Sequence, residues 1–269
     1  MNADILVRDD GSKDKTIEIL NKYQEENKLR WYNGENLRSA KSFMDLVRKS
    51  GEYQYYAFSD QDDYWKKNKL KRAIEQLKEY DNIPAIYFCQ KEIVDENLKK
   101  MKYKNYNSIV SFETSLVRNI VTGCTMVINN KLMKILKEYT PEYIEMHDSW
   151  IYRVCLAVGG KAIFDQEENI MYRQHGNNVI GANESWNSKL KRRINSFIHN
   201  TRKRSKTVTE LKKVYYNEMT EENKKCIDQL DNYNKSLKNK INIIKNKKFK
   251  TEDKERNFIF KIAILLNKF

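Results

Sequence analysis

The sequence predicts an α/β fold, and three observations support that class. Short apolar runs alternate with segments of helical periodicity between residues 3 and 89. Two acidic motifs directly follow two of the predicted strands. Only 2 Pro and 8 Gly occur in 269 residues, which excludes collagen-like and low-complexity architectures. We therefore expect a mostly parallel sheet flanked by helices, with ligands bound where the strands end.

The predicted elements fall into two series, followed by a helical region. The first series contains strands at 3–8, 29–32, 53–58 and 85–89, separated by helices that start near Lys13 and cover 36–49 and 66–80. The second contains a strand at 123–129, helices near 131–137 and 148–158, and strands near 161–164 and 169–173. From Trp186 onward the pattern is almost entirely helical, without Pro or Gly.

The charge of the chain is unevenly distributed. Residues 1–184 contain 28 Lys and Arg and 28 Asp and Glu, whereas residues 185–269 contain 23 and 9. The whole net charge of +14 therefore lies in the last 85 residues. This asymmetry predicts a globular domain over 1–184 and a basic α-helical region over 185–269.

The cysteines indicate a reducing compartment. Cys89, Cys124, Cys155 and Cys226 are far apart and form no CxxC pair, which disfavours a zinc site or a disulfide framework. The best apolar run, FIFKIAILL, is too short for a membrane span and is interrupted by Lys261. We expect buried, reduced thiols in a cytoplasmic protein.

The motif SDQDDYW follows the apolar strand YQYYAF and contains Asp60 and Asp62. Two carboxylates separated by one residue at a strand end can converge on one hard cation, and Mg²⁺ and Mn²⁺ prefer oxygen ligands. Such a cation can neutralise a diphosphate leaving group. The alternative is a solvated acidic turn that caps the helix at Lys66.

Three further motifs contain candidate site residues, and each has a structural alternative. In VRDDGSKD, a carboxylate of Asp9 or Asp10 can accept the imide N–H of a pyrimidine, or it can cap the next helix. In MHDSW, Asp148 can act as a general base or as a helix cap. In YRQHGNN, Arg173 and His175 can contact phosphate or complete a metal site, or His175 can simply be exposed.

The order of these motifs resembles that of family 2 glycosyltransferases with the GT-A fold. The series runs VRDDGSKD, SDQDDYW, TGCTMV, HDSW and YRQHGNN. HDSW and RQHGNN more narrowly resemble the bacterial rhamnosyltransferase-like branch, which builds cell-wall or capsular polysaccharides. The resemblance covers residues 3–182.

The resemblance implies an inverting, metal-dependent transfer of a sugar from a nucleotide donor to a polysaccharide or lipid-linked acceptor. Rhamnose is a candidate for the sugar. For the donor, it implies that Asp9 and Asp10 bind the nucleotide, that Asp60 and Asp62 bind Mn²⁺ or Mg²⁺, and that Arg173 and His175 contact the phosphates. For the acceptor, it implies that Gly123 and Cys124 line its side of the site and that Asp148 is the general base.

The chain departs from the family pattern at its start. Family members normally begin with another strand and helix, whereas this sequence begins on what would be the second strand. We therefore expect an incomplete GT-A domain in which the flank of residues 3–8 is exposed. The alternative function is an inactive remnant that acts as a binding module.

The basic region suggests contact with an anionic membrane. Basic residues alternate with Trp186, Leu190, Ile194 and Phe197 over 186–206, which is typical of an amphipathic helix at the inner face of the plasma membrane. A solvated helical hairpin packed on the catalytic domain is the alternative. The charge also permits nucleic-acid binding, but no recognition motif supports it.

Overall fold

The structure, a computed structural model, describes residues 3–102, 108–174 and 203–269. The strands of this part are β1 Leu6–Asp9, β2 Arg30–Asn33, β3 Tyr55–Ala57, β4 Tyr64–Trp65, β5 Ala85–Val94, β6 Val127–Asn129 and β7 Lys161–Arg173. Its α-helices are α1 Thr16–Glu25, α2 Arg38–Lys49, α3 Lys69–Leu77, α4 Phe112–Val117, α5 Asn130–Glu138, α6 His147–Ala157, α7 Lys203–Tyr215, α8 Glu221–Asp231, α9 Leu237–Lys245 and α10 Lys254–Leu265.

The strands form two sheets. β1 and β2 pair in parallel, and the other five form one sheet in the order β3-β6-β5-β7-β4. Only β5 and β7 pair in parallel within the larger sheet, because β6 runs antiparallel to both β3 and β5, and β4 runs antiparallel to β7. The α/β class is therefore confirmed, but the sheet is mixed rather than mostly parallel. Strand direction depends on the long connections before and after β6, and the pattern of apolar residues cannot predict it.

The strand β7 is longer than the sequence predicts. Residues 161–164 and 169–173 belong to one strand that follows β5 throughout, with register shifts between Cys89 and Gln90 and between Gln90 and Lys91. A β-bulge of this kind bends a strand and redirects its side chains. The residues between 161–164 and 169–173 are polar and lie at the bulge, so the sequence predicted two strands instead of one.

One hydrophobic cluster joins the helices of both parts of the chain. Met44 of α2 and Trp150 of α6 belong to the same buried cluster as Leu211 of α7, Ile227 of α8 and Phe260 of α10. The described C-terminal helices therefore pack on the α/β part through a shared core. The division at residue 184 stays a prediction based on charge.

Polar contacts strengthen this packing. The Asn223 side chain of α8 donates hydrogen bonds to the carbonyls of Leu156 and Ala157, both at 2.9 Å, near the end of α6. Carbonyls at a helix end have no partner within the helix, so this contact satisfies them from outside. All four cysteines are buried and unpaired, as predicted.

Candidate active site

The candidate site lies where three strands end. β6 is antiparallel to both β3 and β5, and β5 is parallel to β7, so β3, β5 and β7 point the same way. Their carboxyl ends therefore meet on one side of the sheet, where β6 begins. Asp60 follows β3, and a 3₁₀ turn over Gly123–Thr125 precedes β6. The topology thus brings distant parts of the sequence to one place.

An acidic loop and a cysteine form a group that can hold a metal. Ligand atoms of Asp60, Asp63 and Cys124 all lie within 4.8 Å of one another. Asp63 Oδ2 is buried, and no N–H or O–H group of the described residues donates to it. Two carboxylates offer the hard oxygen ligands that Mg²⁺ and Mn²⁺ take, whereas burial and the charge of Asp63 raise the pKa of Cys124 and keep it a neutral thiol. These residues therefore fit a divalent cation.

The electrostatics of the acidic loop favour cation binding. Burial raises the pKa of Asp60 to about 6, and the charges of Asp63 and Asp62 add to that rise. Burial also raises the pKa of Asp63. Burial is the largest cause of both rises in pKa, and the mutual repulsion of the carboxylates adds to it. A bound cation would relieve that repulsion.

Asp62, the second predicted metal ligand, lies on the same loop but outside that group of three. Its carbonyl accepts a hydrogen bond from Arg173 Nε at 3.0 Å. The Arg173 backbone N–H donates to Asp63 Oδ1 at 3.0 Å, and its Nη1 donates to the Glu96 carbonyl at 3.0 Å. Arg173 therefore joins the acidic loop to β7 and to the turn after β5. In this arrangement Arg173 positions the loop, whereas its contact with phosphate stays a prediction.

Asp148 lies in the first turn of α6 and is only 7% exposed. The helix cap is Met146, so the alternative that Asp148 caps this helix does not hold. Asn119 Nδ2 lies 3.4 Å from Asp148 Oδ1, which also accepts the Ser149 N–H. Burial raises the pKa of Asp148. Asp60 and Asp148 interact electrostatically, so the structure brings the predicted base near the acidic loop.

Gly123 and His147 pack directly against each other. A side chain at Gly123 would meet His147 Nε2 at 2.5 Å, so this position requires glycine. The His147 ring stacks on Phe43 with ring centres 3.9 Å apart, and burial lowers its pKa to about 4. A neutral, buried imidazole fixes the turn before β6. Gly123 and Cys124 are both buried, and their role on the acceptor side stays a prediction.

Asp9 and Asp10 occupy a separate network around β1. Asp9 Oδ2 accepts the backbone N–H groups of Gly11 at 2.8 Å and Ser12 at 2.9 Å. A hydrogen bond from the Ser12 hydroxyl lowers the pKa of Asp9. Asp10 pairs with Arg8 and accepts a hydrogen bond from Ser42. These contacts shape the turn, and α1 begins later, at Thr16, so neither aspartate caps it.

The predicted phosphate contact His175 lies outside the described residues, as do residues 186–202 of the predicted membrane helix. The prediction for each stands as made.

Sequence reasoning missed two lysines at the site, one fully buried and one half-buried. Lys69 is 0% exposed, its Nζ lies 3.2 Å from the Trp65 ring centre, and burial lowers its pKa to about 8. Lys91 Nζ donates to Thr122 Oγ1 at 3.1 Å. The sequence did contain a signal for the burial of Lys69, because Lys69 lies on the same face of α3 as the buried residues Ala73 and Leu77. Lys91 gave no such signal, because it lies between Gln90 and Glu92 in the polar stretch of β5.

The family follows from comparison with known proteins. The sequence model of glycosyl transferase family 2 matches residues 1–136, which is just over half of the chain. The chain belongs to this family. It is 29% identical over 215 residues to the dTDP-rhamnosyl transferase RfbG of Shigella flexneri, covering 71% of this chain and 70% of that protein. The resemblance to the rhamnosyltransferase-like branch and the assignment as a transferase are therefore confirmed.

Other relatives differ in named substrate or are less fully covered. The chain is 25% identical over 185 residues to the Escherichia coli glucosyltransferase WfaP, covering 66% of this chain and 68% of that protein. It is 27% identical to the glycosyltransferase RT0329 of Rickettsia typhi, covering 65% of this chain and 55% of that protein. The matches thus include proteins named for different donor sugars.

Solved structures confirm the GT-A fold. The crystal structure of S. aureus TarS 1-349 matches with a TM-score of 0.53 at 16% sequence identity. The match covers 85% of this chain and 60% of the TarS chain. TarS in complex with UDP matches with a TM-score of 0.51 at 17% identity. At this identity the likeness concerns the fold alone, and the chain spans less than two thirds of TarS.

Proposed function

We propose that this family 2 transferase moves a sugar from a nucleotide-diphosphate donor to a glycan acceptor with inversion at the anomeric carbon. The observation that carries the proposal is the convergence of the acidic group and Asp148 on one side of the sheet. A group that holds a cation against the departing diphosphate and a candidate base are the two requirements of a metal-dependent single-displacement transfer. The group made by Asp60, Asp63 and Cys124 supports the first, and Asp148 supports the second.

Asp60 and Asp63, with Asp62 on the same loop, would hold Mn²⁺ or Mg²⁺, which neutralises charge on a departing diphosphate. Arg173 would keep the loop in place through its bonds to Asp62 and Asp63. Because Asp60 belongs both to the predicted pair and to the observed group, it is the ligand on which this assignment depends most.

Asp148 would accept the proton of the acceptor hydroxyl. The acceptor oxygen then bonds to the anomeric carbon while the bond from that carbon to the diphosphate oxygen breaks. Burial favours this role because a carboxylate with a raised pKa is a stronger base than a solvated one. Asn119 would orient the carboxylate through its contact with Oδ1.

The relatives suggest what the donor and acceptor are. The name of RfbG specifies a dTDP-rhamnosyl donor, which makes dTDP-rhamnose the first candidate for this chain. WfaP is named for a UDP-glucose donor and a diphosphoundecaprenol-linked acceptor. We propose a polysaccharide or lipid-linked acceptor on that basis, with Gly123 and Cys124 on its side of the site.

A lipid-linked acceptor would require contact with a membrane surface. None of the helices in the described ranges is both long and apolar enough to cross a bilayer. Leu237 of α9 is 66% exposed and Phe258 of α10 is 63% exposed. Lys240 Nζ donates to the Leu265 carbonyl at 2.8 Å, which joins the two helices. We propose that these exposed apolar side chains support peripheral contact with anionic lipid, together with the predicted helix over 186–206.

The charge of the last segment supports lipid rather than a neutral partner. Residues 237–269 contain ten Lys and Arg but three Asp and Glu. Exposed apolar side chains surrounded by lysines are typical of surfaces that bind anionic membranes.

A donor screen by thermal shift tests the proposed function. The full chain is heated with UDP, dTDP, UDP-glucose or dTDP-rhamnose, each with and without Mn²⁺. A rise in melting temperature that requires Mn²⁺ identifies the nucleotide, because a ligand that binds only the folded state stabilises it. If no nucleotide shifts the melting temperature, the alternative of a non-catalytic binding module replaces the enzyme.

A further inference from the structure

Lys91 lies between the turn that precedes β6 and the end of β7. It lies on β5 directly after the irregular pairing at Gln90, where the strand changes register against β7. Its Nζ donates to Thr122 Oγ1 at 3.1 Å and lies 4.1 Å from the ring centre of Tyr172. Thr122 is two residues before Cys124, and Tyr172 adjoins Arg173. These contacts hold the ammonium group between the turn before β6 and the end of β7.

The charges around Lys91 come from both functional groups of the site. Its ammonium interacts electrostatically with Asp60 and Asp63 of the acidic loop and also with Asp148. Lys69 interacts with Asp60 and Asp63 too, but it is fully buried beneath the Trp65 ring. Lys91 is half-buried, so its charge can reach a ligand in the site.

A cation at this place has opposite effects on the two ligands of the proposed reaction. Like charges repel, so Lys91 weakens the binding of a divalent cation at Asp60 and Asp63. It strengthens the binding of an anion that approaches the same group. Lys91 therefore contributes to binding where an anionic ligand arrives together with the cation.

We propose that Lys91 is a diphosphate-binding residue of the donor site, facing the leaving group from the side of Thr122 and Asp148. This inference rests on the proposed function, because it takes the anion to be the diphosphate of the donor. Lys91 would hold the departing charge on the side opposite the acidic loop. The acceptor hydroxyl would then enter between Lys91 and Asp148.

The alternative is a purely structural role, in which Lys91 only ties the Thr122 turn to β5. The two roles predict different signs. A structural tether predicts that its removal weakens both cation binding and nucleotide binding, since the acidic group would lose its shape. A diphosphate contact predicts tighter cation binding and weaker nucleotide binding.

The substitution Lys91→Met tests this inference, because methionine retains the unbranched stem of the side chain and removes the ammonium group. Binding of Mn²⁺ alone is measured by calorimetry, followed by binding of UDP and dTDP at saturating Mn²⁺. We expect Mn²⁺ to bind roughly threefold more tightly. We expect the preferred nucleoside diphosphate to bind about tenfold more weakly, as for the loss of one charge-assisted hydrogen bond. Binding of the free nucleoside should not change.

Two further variants complete the design. Lys66→Met removes another lysine near β5, one that pairs with Glu92 at 2.6 Å, and should leave both affinities within twofold of the wild type. Lys91→Arg should retain nucleotide binding because the charge remains. If Lys91→Met does not fold by circular dichroism, Lys91→Gln is compared with Lys91→Arg in the same titrations.

The outcomes separate this inference from the proposed function. Unchanged nucleotide binding in Lys91→Met, or weaker binding of both Mn²⁺ and nucleotide in a folded variant, overturns the assignment of Lys91. Failure of the wild type to bind any nucleoside diphosphate overturns the proposed function itself.

Discussion

The two parts of this chain differ in their net charge and in the burial of their charged side chains. The first 184 residues have no net charge, yet they bury or half-bury Asp60, Lys69, Lys91 and Asp148 near one another. The described C-terminal part, 203–269, has 18 Lys and Arg against 9 Asp and Glu, and its core consists of side chains such as Leu211 and Ile227. The net charge therefore belongs to a different segment of the sequence from the candidate site residues.

This difference indicates different roles for the two parts. Burying a charged group costs free energy, so a cluster of buried charges in a cleft marks a candidate ligand site. Charges on a helix surface remain solvated and cost little, but they attract anionic surfaces at long range. The neutral part is the candidate catalytic region, and the basic part is the candidate docking region.

Asp148→Asn tests the catalytic side of this contrast and has the largest expected effect. The amide retains the shape of the carboxylate but cannot accept a proton, so transfer should fall by about 10²–10⁴-fold. Donor binding should remain within twofold of the wild type. Radiolabelled sugar transfer and calorimetry measure the two quantities. Glu79→Gln, which changes an exposed carboxylate just after α3, serves as the control and should retain activity. Full turnover by Asp148→Asn would remove Asp148 as the base.

Phe258→Ser tests the docking side. Phe258 is 63% exposed, so the fold should not change, but its apolar surface would no longer enter the lipid interface. We expect roughly fivefold weaker binding to vesicles that contain anionic phospholipid, measured by sedimentation. Ile83→Ser replaces an exposed isoleucine of the neutral part, 43% exposed, and should bind vesicles as the wild type does. Equal loss in both variants would contradict a docking surface on α9 and α10.

Asp60→Asn tests whether the charge of Asp60 in the neutral part lowers the thermal stability of the protein. The pKa of Asp60 is raised from 3.8 to about 6, so the folded state holds its proton more tightly than the unfolded state. Between these values the folded protein binds more protons, and stability falls as pH rises. Without metal at pH 8, Asp60→Asn should therefore melt about 2–4 °C higher than the wild type.

The pH dependence provides the check on that stability effect. At pH 3.5 both proteins have a neutral side chain at position 60 in the folded state, so calorimetric melting temperatures should nearly coincide. A wild type that melts higher than Asp60→Asn at pH 8 without metal would show that the buried charge of Asp60 is already compensated.

The sequence predicted those parts of the fold that depend on local patterns. The helix at Arg38–Lys49 and the strand start at Ala85 agree with the predicted positions because their apolar residues have clear helical or extended spacing. The antiparallel direction of β6 could not be predicted, since it depends on tertiary packing. The joining of β7 into one strand through an irregular pairing with β5 could not be predicted either.

The candidate site was predictable to a similar degree. Asp60 and Asp148 were found because acidic residues follow a strand and open a helix in motifs shared with the family. Cys124 and Asp63 meet Asp60 only because the turn before β6 lies beside the loop after β3. Lys91 gave no sequence signal, because its orientation depends on the changed register next to Gln90.

The most direct test of the central claim is a calorimetric titration of the preferred nucleoside diphosphate into the wild type and Asp60→Asn, each with Mn²⁺ and with EDTA. If the acidic group binds the donor through a cation, the wild type should bind at least about tenfold more tightly with Mn²⁺, and Asp60→Asn should lose this difference. Equal binding by the wild type with and without Mn²⁺, or an unchanged Mn²⁺ effect in Asp60→Asn, would contradict the claim.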